Sequence, residues 1–204
     1  LAEKVDALKD AGLHRLTISF DTLDEDVFKE MSGRNFSSKK VLAGIDAAER
    51  AGYKPIKINV VVKRGVNEHT ILDLARYFKE RGHIARFIEF MDVGTINKWS
   101  LDHVVSAGEI FEIINNELPI EPVEGNYPGE VALRYRYSDG SGEIGIIASV
   151  TKPFCGDCTR LRLSPEGTIY TCLFSNAGTD LREPLRSGVG DEDIVRIING
   201  VWGS

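Results

Sequence analysis

The sequence predicts an α/β protein with a parallel sheet in its first half and a small antiparallel layer in its second. Three observations predict it. Apolar β-branched runs alternate with amphipathic helical stretches up to about residue 117, the pattern of strand–helix–strand crossovers. Beyond it come short alternating segments joined by glycine-containing turns. Two early strands also carry polar residues on one face, where a fully buried parallel strand would be apolar on both.

The elements follow in order. "LAEKVDALKDAG" opens the chain as an amphipathic helix already under way, and "IINGVWGS" closes it abruptly, so a fragment of a longer protein is expected. "RLTISFD" (15–21) is the first strand, followed by helical "DEDVFKEMSG" and "SSKKVLAGIDAAERAG", the latter stopped by glycine. "PIKINVVV" (55–62) is the second strand. "NEHTILDLARYFKERG" (67–82) is its helix, with Asn67 as N-cap and Gly82 as stop. "IARFIEFM" (84–91) is the third strand, and a long polar loop leads to the helix "SAGEIFEIINNE" (106–117), where Ser106 and Glu109 have capping-box spacing.

"ELPIEPVEGNYPGEV" carries three prolines and reads as an irregular connector. "ALRYRY", "EIGIIASV", "RLRLS" and "TIYTCLF" are assigned to the antiparallel layer, and "DLREPLRSG" and "DEDIVRIING" to closing helices. The change of character divides the chain into residues 1–116 and 117–204.

Strand periodicity places Thr17, Ser19 and Asp21 on one face and Leu16, Ile18 and Phe20 on the other. Lys57 and Asn59 likewise share a face opposite Ile56, Ile58 and Val60. Two polar faces of this kind point to a barrel, or an open half-barrel, with a ligand inside.

Composition sets the outer limits. At 204 residues, 42% hydrophobic and 27% charged, the chain can bury a sizeable core without disulfides. A net charge of −6 argues against a nucleic-acid or membrane-surface binder, and no apolar run has membrane-spanning length. Against that acidic background Arg134, Arg136, Lys152, Arg160 and Arg162 crowd around the cysteines, a local cluster suited to a small polyanion.

All three cysteines, Cys155, Cys158 and Cys172, fall in one C-x2-C-x13-C hairpin, which points to metal chemistry in a reducing, cytoplasmic setting. A structural zinc would want a fourth Cys or His, and the four histidines lie far upstream at 14, 69, 83 and 103. Zinc with a remote histidine stays open. Three thiolates on a [4Fe–4S] cube would instead leave one iron free for substrate. Arg160 and Arg162, two apart in an apparent strand, would face one side and present forked donors to a phosphate or offset thiolate charge.

"FCGDCTRLRLSPEGTIYTCLF", "ARFIEFMDVG", "TISFDTLDEDVF" and "KINVVVKRGVN" together resemble the molybdenum cofactor biosynthesis protein A family, radical S-adenosylmethionine (SAM) enzymes with GTP 3′,8-cyclase activity. The resemblance implies the later half of an incomplete (β/α)6 radical SAM barrel over 1–116, and a layer over 117–204 that binds an iron–sulfur cluster and GTP. It implies Cys155, Cys158 and Cys172 as ligands of a C-terminal [4Fe–4S] cluster whose open iron takes the guanine of GTP. Arg160, Arg162 and Arg86 match substrate-binding arginines. Lys57, Met91, Ser19 and Asn59 match positions that contact SAM, although Met91 read alone is a core residue.

The family's radical-generating C-x3-C-x2-C loop, which holds a second, N-terminal cluster, has no counterpart here, nor has its C-terminal Gly-Gly tail. The chain alone is therefore expected to be inactive. GTP is the implied partner, with cyclic pyranopterin monophosphate synthase downstream, and exposed sheet edges allow a homodimer. Two alternatives stand beside this: the auxiliary-cluster region of another radical SAM enzyme, and a non-catalytic zinc-binding module.

Overall fold

The computed structural model describes residues 1–33, 36–93, 99–153 and 155–203. Residues 94–98 of the predicted polar loop, and Phe154 of the cysteine motif, lie outside the described residues. The chain divides into two compact units, residues 1–92 with 99–156, and residue 93 with 157–203.

The first unit is mixed α/β. Helix α1 (Val5–Asp10) leads to β1 (Thr17–Ser19), α2 (Glu25–Ser32), α3 (Ser38–Arg50), β2 (Lys57–Val62), α4 (Ile71–Glu80), β3 (Ile84–Glu89) and α5 (Ala107–Asn115). Strands β4 (Ile120–Val123), β5 (Leu133–Tyr137) and β6 (Glu143–Ile147) complete it. One six-stranded sheet has the order β1-β2-β3-β6-β5-β4, with β1, β2, β3 and β6 mutually parallel, β5 antiparallel to β6, and β4 antiparallel to β5.

Local chemistry sets the helix ends. Asp24 caps α2 by accepting from the backbone N–H groups of Asp26 and Val27 at 2.8 and 3.0 Å, and Gly33 ends it in the left-handed region. The Ser106–Glu109 capping box of α5 is present in both directions. Asn67 does not cap. Its side chain is buried, donating to the carbonyls of Asp21 and Val61 at 2.8 Å each while its oxygen accepts from Lys63 N–H at 2.8 Å. It pins the turn after β2 to the end of β1, because three backbone groups there need partners.

Packing follows the period of two. Ile56, Ile58, Val60 and Val62 alternate with half-buried residues along β2, as Ala85, Phe87 and Glu89 do along β3. This face packs on Leu74 and Phe78 of α4 and on Ile110 and Ile114 of α5. Each such side chain contributes about 1.5–3 kcal/mol by leaving water.

Three segments sit differently from expectation, "ALRYRY" among them, since as β5 it joins the main sheet between β6 and β4 rather than the small layer. The proline-rich connector contains β4, tolerated because β4 is an edge strand and Pro122 removes only one donor from it. "EIGIIASV" joins the main sheet beside β3 rather than the small layer. Its continuous buried run from Ile144 to Ala148 is the signature of an interior parallel strand.

The second unit holds the small antiparallel sheet, β7 (Arg162–Leu163), β8 (Thr168–Tyr170) and β9 (Thr179–Asp180), followed by α6 (Arg182–Arg186) and α7 (Asp191–Trp202). Among the described residues no helix is long and apolar enough to cross a membrane.

Candidate functional site

The polar face predicted from strand periodicity is built by sheet register. Ser19 pairs with Asn59, Asn59 with Arg86, and Arg86 with Gly145, one continuous row across four parallel strands. Lys57 stands one step back, level with Thr17 and Ile84. All point away from the helix-packed face. Ser19 is exposed, while Lys57, Asn59 and Arg86 are half-buried.

Within this row the Arg86 Nε–H donates to Asn59 Oδ1 at 2.9 Å. Gly145 makes the posture possible: a Cβ there would lie 3.1 Å from Arg86 Cγ. Burial holds the Arg86 guanidinium below its ordinary pKa, opposed by the nearby Tyr127 and Glu130. Lys57 is half-buried and makes no ion pair among the described residues, although the carboxylates of Glu130 and Glu143 line the same pocket.

A small pocket of about 40 Å³ is lined by Lys57, Arg86, Glu130, Glu143 and Gly145. That is far below the roughly 300–1,000 Å³ of small-molecule sites. A larger cleft of about 730 Å³ is lined by Lys54, Lys79, His83 and Gly142, at the amino ends of β2, β3 and β6. Parallel sheets bind ligands at the carboxyl ends, so its size alone gives it no role.

At the carboxyl ends, half-buried Met91 follows β3. Asp21 accepts from Val61 N–H at 2.8 Å, and burial pushes its carboxyl above the usual range. Glu89, overlooked in the sequence, is fully buried and accepts four hydrogen bonds. The available signal was its place in "IARFIEF", in phase with buried Ala85 and Phe87.

The cysteines are all free thiols. Cys155 is exposed, in a 3₁₀ turn at the end of the first unit, and Cys158 and Cys172 belong to the second. Cys158 is held below the ordinary thiol pKa by hydrogen bonds from the Arg160 backbone N–H and side chain, and by the charges of Arg160 and Arg162. Cys172 Sγ accepts from Phe174 N–H at 3.4 Å. Thiols with a cationic escort suit thiophilic metal. Among the described residues, however, no three His, Cys, Asp or Glu side chains gather as a formed metal site.

Arg160 precedes β7 and turns back to Cys158, so the two arginines do not share one strand as expected. Arg162 lies in β7, donating from Nη1 to the carbonyls of Arg160 and Thr171 at 3.3 and 3.4 Å. It thus links the segments that carry Cys158 and Cys172. The basic cluster is smaller than its sequence count. Arg134 is forked onto Glu143 at 2.8 and 2.9 Å, and Arg136 pairs with Glu121 at 3.0 Å. Those carboxylates come from neighbouring strands, invisible to a linear count.

Comparison with known proteins gives a consistent picture. The family model described as Molybdenum Cofactor Synthesis C matches residues 83–204, and that of the Radical SAM superfamily matches residues 1–78. The chain is 50% identical over 205 residues to a GTP 3′,8-cyclase of Acidothermus cellulolyticus, covering 97% of this chain and 57% of that protein. A GTP 3′,8-cyclase of Xanthomonas axonopodis pv. citri is 48% identical over 188 residues, covering 92% and 56% respectively. One from Staphylococcus carnosus is 44% identical over 196 residues, covering 96% and 57%. The chain therefore spans a little over half the length of the curated relatives it matches.

Proposed function

The chain belongs to the molybdenum cofactor synthesis C family, and from that premise we propose that it is the substrate- and cluster-binding portion of a radical SAM GTP 3′,8-cyclase of molybdenum cofactor biosynthesis. On this reading residues 1–116 are the later part of an incomplete (β/α)6 barrel, and residues 117–204 form the cluster and GTP region. The observation that carries it is the pair of cations on the polar sheet face, where Lys57, without an ion pair among the described residues, stands near Arg86 in a chain of net charge −6.

Each residue then has a physical task. Lys57 offers its ammonium to the SAM carboxylate, a pairing strengthened by partial burial. Ser19 and Asn59 supply hydrogen-bonding groups on the same face, and Met91 packs at the strand end. Arg86, held by Asn59, presents the rest of its guanidinium to a phosphate, and Arg160 and Arg162 add forked donors. GTP brings about four negative charges, so a few arginines outweigh the chain's overall acidity at short range.

Cys155, Cys158 and Cys172 would hold a [4Fe–4S] cluster with one iron open to the guanine. Their donor chemistry fits: three free thiols, one of them escorted by arginines, suit a thiophilic metal centre. When bound, SAM and its own N-terminal cluster would supply the hydrogen-abstracting radical chemistry that joins C3′ of GTP to C8, giving 3′,8-cyclo-7,8-dihydro-GTP. That product is the substrate of cyclic pyranopterin monophosphate synthase. The thiols require a reducing, cytoplasmic setting.

Metal content after anaerobic reconstitution tests this reading. About four irons per chain, lost in Cys172→Ala, supports it. One tightly held zinc with no iron uptake contradicts it and favours a zinc-stabilised module.

A further inference from the structure

Glu89 is a carboxylate in the core, at the last position of β3, with no solvent exposure. Charged side chains are almost never buried unless fully partnered. Here no cation pairs with it among the described residues. Its partners are four donors from two places. Ala107 N–H, the first residue of α5, donates to Oε1 at 2.7 Å, and the Thr151 hydroxyl donates to the same oxygen. Val150 and Thr151 N–H donate to Oε2 at 2.6 and 2.8 Å. The Glu89 carbonyl also accepts from the Ser149 hydroxyl at 3.1 Å.

The helix α5 terminus contributes its dipole and one otherwise unpaired N–H. The other three donors, the Val150 and Thr151 N–H groups and the Thr151 hydroxyl, belong to the segment that leaves β6 and reaches Cys155 four residues later. That segment has no strand or helix to hold it at 150–153. Its amides would otherwise turn to water, and the chain beyond would leave the sheet in many directions.

We propose that Glu89 is a positioning residue for the cysteine-bearing loop, anchoring Val150 and Thr151 so that Cys155 leaves the sheet from a fixed point. The proposal rests on the reading of Cys155 as a metal ligand. It adds a task for the acidic residue of the "RFIEF" strand, whose arginine faces the opposite side of the sheet.

The test uses the full chain and four variants: Glu89→Gln, Thr151→Val, Thr151→Ser and a core control, Ile45→Val. Glutamine keeps the shape but turns an NH2 toward backbone donors, whereas Thr151→Val removes only the hydroxyl bond. Two readouts are taken at matched thermal stability: hydrogen exchange at residues 150–151, and iron bound after anaerobic reconstitution. Glu89→Gln should speed exchange about ten- to a hundredfold, as expected on losing hydrogen bonds to a charged acceptor. It should also lower iron binding at limiting iron at least about fivefold, against little change in the control. Thr151→Val should fall between, and Thr151→Ser should restore the parent values. Iron binding equal to parent in Glu89→Gln, with the parent loading normally, overturns the positioning role alone. A parent chain that takes up no iron overturns both the cysteine-centre reading and this proposal.

Discussion

Arg86 and Asn59 are register partners on adjacent parallel strands, and the Arg86 Nε–H donates to Asn59 Oδ1 at 2.9 Å. The bond orients a half-buried guanidinium along the row of polar side chains. Asn59→Ala should leave Arg86 in place but free to rotate. GTP affinity should fall about tenfold, the lower end of the range for a hydrogen bond to a charged group. Calorimetric titration of the reconstituted chain checks this, and unchanged affinity removes the coupling.

Gly145 gives the Arg86 stem its room. Gly145→Val should drive Arg86 off the sheet and cost about 1–3 kcal/mol of stability, the usual range for overpacking. A urea midpoint measures the second effect and GTP titration the first. Gly145→Ala should be milder, because the 3.1 Å contact is with a side chain able to yield by a few tenths of an ångström.

Arg162 spans the carbonyls of Arg160 and Thr171 through weak bonds of 3.3 and 3.4 Å, so it contributes little to stability. Arg162→Ala should lower GTP affinity about tenfold or more, at unchanged iron content and melting temperature. Equal affinity in the variant would remove its role in phosphate binding.

His83 gives the fold a pH dependence near neutrality. Burial holds its imidazole below the ordinary value of 6.5, against the opposing pull of Glu49, whose Oε1 lies 2.7 Å from Nε2. That contact is close but not aligned as a hydrogen bond, and the carboxylate acts by favouring the protonated imidazole against burial. Nδ1 accepts from Ile56 N–H at 3.3 Å, which requires it unprotonated. Because the folded value is depressed, the unfolded chain binds the proton more readily. Stability is complete above pH 6.5 and declines as pH falls through the folded value. The decline should be at most about 1.4 kcal/mol per pH unit, that of one proton. Urea midpoints between pH 8 and 5 check this, and His83→Gln should flatten the slope.

How much of this was legible in sequence depended on the range of the interaction. Alternation in "TIS", "KINVVV" and "IARFIE" exposed the polar row, because strand facing is set by each residue's own neighbours. The Ser106–Glu109 box was legible for the same reason. Asn67 was misread because its partners lie at Asp21 and Val61, brought close only by the parallel pairing of β1 and β2. Glu89 escaped notice because its donors come from residues 107, 150 and 151. Arg134 and Arg136 looked free until β4 and β6 brought up Glu121 and Glu143. The prolines hid β4 because its edge position, which excuses Pro122, is a property of the whole sheet.

The central claim is that this chain carries both an open iron and the residues that bring GTP to it. Electron paramagnetic resonance of the anaerobically reconstituted chain, with and without GTP, tests it most directly. The account predicts a reduced-cluster signal that shifts on adding GTP and stops shifting in Arg86→Ala and Arg162→Ala. A cluster signal unaffected by saturating GTP would contradict it.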